Sequence, residues 1–334
     1  MAKTGGVFSH CWKRVVLLLA TVSLTGVACT KNPEVAPADK AAATPTAAAA
    51  APAAPAPAAP PPEANSANPL AGIPGMDFSS LPPSAQRELA TVLSDEFCHC
   101  GCPHTLGACL RQHTTCKHAK KTARLAAMNV ANGMPATEVI LGLSRYYASF
   151  RATRATLKVD PRMCMGDEKA PVTIAEFADF ECPSCAHARP LLEGFAKKNT
   201  TKVRFCYLPY PLPSHPNALP AAQAALWARD QGKFWEMHDI LFENQGNLAP
   251  AALPALADKI GLPGAKLAEA LKAGAYVKEL EGIKGQGNAA GITGTPSVFL
   301  NGRAHTMGIQ ADQLNHAVDD EIEWQANNNA WAAD

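Results

Sequence analysis

An α/β fold built on a central sheet, preceded by a small helical region rich in cysteine, is what this sequence predicts. Three observations carry that expectation. Two short apolar runs of strand composition, Val172-Thr-Ile-Ala-Glu-Phe and Val203 to Leu208, flank a segment of helical length. A third run, Ser297-Val-Phe-Leu, follows a long helix-forming stretch from Ala218 to Gly285. Ahead of all three, a dense group of cysteines and histidines lies between two segments of helical period.

The 334 residues have room for one domain of ordinary size and a smaller one. The 30 basic and 29 acidic side chains are interspersed and leave a net charge of +1, so no nucleic-acid partner is expected. Lys3, Lys13 and Arg14 precede an apolar run from Val15 to Val27, with small residues at Gly26 and Ala28, which reads as an export signal over residues 1–28. That run is too short for a comfortable membrane span. Cys29 follows Gly-Val-Ala, where a bacterial lipoprotein signal places the cysteine that receives the lipid. Gly26 departs from the Leu usual in such signals, and ordinary cleavage that leaves a cysteine behind is the alternative. Residues 29–75 are dominated by Ala and Pro, poor in large apolar side chains, and are expected to form an extended tether.

Residues 76–152 read as short helices. Leu89, Val92, Leu93 and Phe97 recur at helical spacing, a second periodic segment runs from about Ala119 to Asn132, and Gly133 and Pro135 punctuate before Val139, Ile140 and Leu143. Residues 157–334 carry the order strand, helix, strand, helical insertion, strand, helix, with breaks at Gly261 and Pro263 and a turn at Asn301-Gly302.

Chemistry is concentrated at Cys182-Pro183-Ser184-Cys185, directly after the first strand and at the start of the following helix. At a helix N-terminus, unsatisfied backbone N–H groups and the dipole favour an anion and lower the pKa of Cys182. Cys185, one turn inward, is expected to be more buried and to stay a thiol, so that Cys182 acts as nucleophile and Cys185 as resolver. A bare C-x-x-C is also half of a zinc site, but no second such pair follows in this domain.

Phe180-Glu-Cys-Pro-Ser-Cys after a strand, Gln231-Gly-Lys-Phe-Trp-Glu-Met-His in the insertion, and Gly294-Thr-Pro-Ser-Val-Phe-Leu-Asn-Gly302 together resemble the DsbA-like thioredoxin-fold proteins. The resemblance runs from about Asp160 to the C-terminus. It implies a thioredoxin fold with an inserted helical subdomain and disulfide exchange with exported proteins. It also implies a cis-proline loop at Thr295-Pro296 beside the cysteines, offering backbone groups to an extended client, where the plain alternative is a strand-start proline. Glu176 matches the acid beneath the active site, able to relay the proton of the resolving cysteine; a strand-end carboxylate facing water is the alternative. Pro190 resembles the proline that kinks the active-site helix. DsbA itself has a His within its C-x-x-C where this chain has Ser184, which should weaken thiolate stabilisation and make the pair less oxidising.

Cys98, Cys100, Cys102, Cys109 and Cys116 lie with His99, His104, His113 and His118 between two helices, and the pattern, ending in Ala136-Thr-Glu-Val-Ile, resembles the helical domain of CcmH-type cytochrome c maturation proteins. Those proteins carry a C-x-x-C there, whereas the spacing here is Cys98-x-Cys100-x-Cys102. Structural disulfides, a second redox centre and a zinc or copper site all remain open. Of the 11 cysteines, setting aside Cys11 and Cys29 leaves an odd number. Cys164 and Cys206 flank the first strand region and the second strand; they either bridge or leave Cys206 as a buried free thiol.

The expectation is an envelope thiol–disulfide oxidoreductase with no cofactor. Its partners would be exported proteins bearing thiols or disulfides and a membrane redox partner, with lipid attachment at Cys29. Two rivals are a dedicated reductant in cytochrome c maturation and a non-enzymatic Cys/His metal-binding protein.

Overall fold

The structure is a computed structural model that describes residues 70–331, so the export-signal stretch, Cys11, Cys29 and most of the Ala/Pro stretch lie outside the described residues. Helix α1 (Pro83–Asp95) opens with a proline in its first turn, where the missing N–H costs nothing, and buries Leu89, Val92 and Leu93. Phe97, which spacing placed on the same face, is 60% exposed. The helix has ended at Asp95, and extended Glu96 (φ −85°, ψ 139°) turns the chain outward before Phe97 is reached.

Within the cysteine-rich stretch lies a helix that spacing did not reveal, α2 (Leu106–Gln112), too short to display a period. The Thr105 hydroxyl caps it, accepting the Ala108 N–H at 3.3 Å. Helices α3 (Lys117–Ala131) and α4 (Ala136–Ser149) follow, separated by Gly133 in a left-handed conformation and by Pro135.

Strands β1 (Cys164–Met165) and β2 (Val172–Ala178) lead to helix α5 (Pro183–Lys198) and strand β3 (Val203–Pro209). Five inserted helices come next: α6 (Ala218–Asp230), α7 (Phe234–Glu243), α8 (Leu253–Lys259), α9 (Gly264–Lys272) and α10 (Val277–Ala289). Strands β4 (Ser297–Leu300) and β5 (Arg303–Ala304) and helix α11 (Ala311–Ala326) complete the described chain. The sheet order is β1-β3-β2-β4-β5. Strands β2 and β3 run parallel, joined by α5, and β4 pairs antiparallel to β2. The expected Asn301-Gly302 turn joins β4 to β5 with both residues at positive φ, 47° and 79°. A side chain on Gly302 would collide with the Ala155 carbonyl, 2.2 Å from where its Cβ would stand.

Both faces of the sheet are covered, which is why its two long strands read as near-continuous apolar runs. Val172, Ile174, Val203, Phe205 and Leu300 point into a core shared with α5, α11 and all four N-terminal helices. Ala175, Phe177, Leu208 and Phe299, one residue out of phase, point into a second core with the inserted helices. The helical region therefore packs directly on the α/β part through α11. Across that seam, Arg303 is fully buried, bonds Glu321 at 2.9 Å and Ser149 at 3.1 Å, and stacks its guanidinium 3.8 Å from the Phe150 ring centroid. A disulfide joins Cys164 to Cys206, register partners on β1 and β3, and settles that pairing.

Candidate active site

The strand–turn–helix from β2 into α5 sets the position of Cys182. Asp179, just past the strand, is 1% exposed, and its carboxylate accepts the backbone N–H groups of Glu181 and Leu212, both at 2.7 Å, and lies 2.9 Å from His215 Nδ1. Gln245 Nε2, from the insertion, donates to the carbonyls of Phe180 at 2.8 Å and Cys182 at 3.0 Å. The turn is thus held on both sides, and α5 starts with Cys182 as its N-cap and Pro183 in its first turn.

The two cysteines, both thiols here, sit in different surroundings. Cys182 is 7% exposed and its Sγ approaches the Thr295 carbonyl at 3.5 Å, while Cys185 is fully buried with the Asp179 N–H donating to its Sγ at 3.5 Å. The Thr295–Pro296 bond is cis and lies beside Cys182, so the structure brings together Cys182, Cys185, Thr295 and Pro296. Burial alone would raise the Cys182 thiol. The Thr295 side chain, the Cys185 thiol and the N–H groups of Cys185 and Ser184 outweigh it and hold Cys182 below its ordinary value. Burial wins at Cys185, whose thiol is pushed well up, with the Glu176 and Cys182 charges adding to the effect.

Glu176 is no surface carboxylate: it is 2% exposed, and its Oε1 has no hydrogen-bond partner. Burial, reinforced by the charges of Glu193 and Cys182, pushes it up to about 8. Tyr207, opposite Glu176 on β3, is also buried with a hydroxyl lacking a partner. Asp179, Gln245 and Tyr207 escaped the sequence reading. Asp179, which closes a local turn onto the N–H two residues on, had a signal in its strand-end position; Gln245 and Tyr207 act across long stretches of chain and had none. Pro190 lies inside α5, as expected.

The second cysteine group is a cluster of thiols, not a disulfide framework: among the described residues only Cys164–Cys206 is bonded. The sulfurs of Cys100 and Cys102 are 3.1 Å apart, Cys102 and Cys109 3.7 Å, and Cys100 and Cys109 3.9 Å, with Cys98 and Cys116 3.9 Å from each other. Cys29 lies outside the described residues.

Comparison with known proteins matches residues 158–320 to the family model described as Thioredoxin, and the C-terminal half of the chain is a thioredoxin-type domain. Among solved structures, oxidised BdbD from Bacillus subtilis is 22% identical and covers 52% of this chain and 100% of its own, with a TM-score of 0.45. A thioredoxin-like oxidoreductase from Silicibacter pomeroyi is 26% identical and covers 55% and 98%, with a TM-score of 0.42. Among curated proteins, the Na(+)/H(+) antiporter NhaA 1 of Salinispora arenicola is 40% identical over 156 residues, 46% of this chain. The chain spans 24% of that relative's length. No helix among the described residues is long and apolar enough to cross a membrane.

Proposed function

We propose that the thioredoxin-type domain is the working part of an exported protein thiol–disulfide oxidoreductase, with Cys182 as the exchanging thiol and Cys185 as the resolver. The observation that carries this reading is the asymmetry of the pair: Cys182, 7% exposed, stands at the N-terminus of α5 and is lowered, whereas Cys185 is fully buried and raised.

In the reducing direction the Cys182 thiolate attacks one sulfur of a client disulfide. A Cys182–client bond forms, and the client's other sulfur leaves as a thiolate that takes up a proton. Cys185 then gives its proton to Glu176, whose carboxyl near pKa 8 both accepts and releases protons close to neutral pH. Its thiolate attacks Cys182 Sγ, the Cys182–Cys185 disulfide forms, and the second client thiolate leaves. Two electrons pass from the pair to the client, and the reverse sequence oxidises a client dithiol.

The Thr295 carbonyl, within reach of Cys182, and cis-Pro296 form the edge along which an extended client chain aligns. The basic and apolar pattern of residues 1–28, read as an export signal, and the Cys164–Cys206 disulfide support an oxidising envelope compartment, exported clients and a membrane redox partner that resets the pair. Cys29 would carry the lipid that tethers the domain.

Trapping tests the reading: the Cys185→Ser protein should accumulate mixed disulfides with exported proteins through Cys182, and Cys182→Ser should accumulate none. No adduct with Cys185→Ser, together with insulin reduction unchanged by either substitution, would defeat it.

A further inference from the structure

The five thiols between α1 and α3 take no part in the chemistry above, and their arrangement has its own logic. The loop from Phe97 to Thr105 is closed by two backbone bonds, Cys98 N–H to the His104 carbonyl at 3.1 Å and Leu106 N–H to the Glu96 carbonyl at 2.7 Å. At its tip Gly101 adopts φ 94°, a left-handed conformation that folds the chain back between Cys100 and Cys102. The sulfurs of Cys98, Cys100 and Cys102 and that of Cys109, from α2, consequently all lie within 4.8 Å of one another.

Four sulfurs bound to zinc at about 2.3 Å stand about 3.8 Å apart along each edge of the tetrahedron. The separations of 3.7 Å for Cys102–Cys109 and 3.9 Å for Cys100–Cys109 match that edge, and Cys100–Cys102 at 3.1 Å is the one that must lengthen. Disulfides account for the group less well, because five sulfurs cannot all pair and these separations, 3.1 to 3.9 Å, each exceed a bond of about 2.05 Å by about 1 Å or more. The fifth sulfur has separate work: Cys116 is the N-cap of α3 and accepts the Ala119 N–H at 3.3 Å. Cys102 also meets His104 and His113 in an overlapping set, but four thiolates outnumber the ligands that set offers.

We propose that Cys98, Cys100, Cys102 and Cys109 bind one zinc-class ion as a tetrahedral four-thiolate site that fixes the turn between α1 and α3. Binding releases four thiol protons and transfers no electrons.

The test uses the full chain purified without chelators, its metal measured by elemental analysis and its geometry by cobalt(II) substitution. About one zinc per chain and the visible bands of a tetrahedral cobalt–thiolate centre are expected. The Cys100→Ser/Cys102→Ser protein, altered at the two partly exposed sulfurs so that the core is spared, should lose metal by ~10-fold or more. Cys182→Ser and His104→Ala should keep it. Overturning results are a metal-free protein with disulfides mapped within residues 98–116, metal retained without Cys100 and Cys102, metal lost with His104→Ala, or copper(I) bound in place of zinc.

Discussion

Cys182 and Cys185 stand one helical turn apart and differ in exposure, in partners and in the direction their thiols are shifted, whereas the cysteines between α1 and α3 converge on one another from a single loop and a short helix. The difference teaches what separates exchange from ligation. Exchange needs one sulfur that is acidic and reachable and a second held in reserve. Ligation needs several sulfurs at equal separations around a common centre. Spacing in the chain follows the same division: C-x-x-C spans one helical turn, while C-x-C-G-C wraps a loop whose glycine turns the chain back.

The largest effect should come from separating the two systems genetically. Cys182→Ser is expected to reduce insulin turnover to the uncatalysed background and leave bound metal unchanged. Cys100→Ser/Cys102→Ser should do the opposite, removing metal and sparing turnover. Loss of turnover in the second variant would mean that the cluster feeds the pair.

Next comes the seam that unites the two regions. Glu321→Ala leaves Arg303 buried beside Phe150 with its charge uncompensated, and is expected to cost ~3–5 kcal/mol in denaturant unfolding. A single transition by fluorescence and by far-UV circular dichroism would show both regions melting together; two transitions would show that each stands alone.

Glu176→Gln should slow resolution of the mixed disulfide by ~10²-fold, read by quench-flow with a model disulfide, and leave the metal site alone. The same variant reports on stability. Glu176 sits near 8 in the folded protein against 4.5 ordinarily, so the folded state holds this proton more tightly than the unfolded one between those values. Stability therefore falls as pH rises from 4.5 to about 8, by up to ~5 kcal/mol at ~1.4 kcal/mol per unit, and the Gln variant should flatten that slope.

The smallest expected effect is at Thr295→Val. Removing the hydroxyl that favours the Cys182 thiolate should raise the midpoint of its alkylation rate against pH by up to ~1 unit.

Much of the C-terminal domain was legible because its signals are local. Strands β2, β3 and β4 were visible as short apolar runs, Cys182 as a helix start, and the Asn301-Gly302 turn as a dipeptide with known backbone demands. What escaped depends on distance or brevity. Strands β1 and β5 are two residues each, α2 is seven, and none is long enough to show a period. Phe97 fitted the α1 stripe until the chain turned extended at Glu96, a change that no apolar spacing encodes. Whether Glu176 faced water or the interior was undecided in sequence because both outcomes follow from a carboxylate in a strand; coverage of both faces of the sheet decides it, leaving Glu176 2% exposed. The cluster's sulfurs needed coordinates, since their convergence rests on backbone bonds at both ends of the Phe97–Thr105 loop.

Titration of the full chain in glutathione buffers of graded potential, with peptide mapping of every cysteine, tests the division between the two thiol systems most directly. The expected result is a single two-electron transition that forms Cys182–Cys185, with Cys98, Cys100, Cys102 and Cys109 reduced throughout and the metal retained. Disulfides appearing among Cys98, Cys100, Cys102, Cys109 and Cys116 in the same range, or a Cys182–Cys185 pair that never forms, would contradict it.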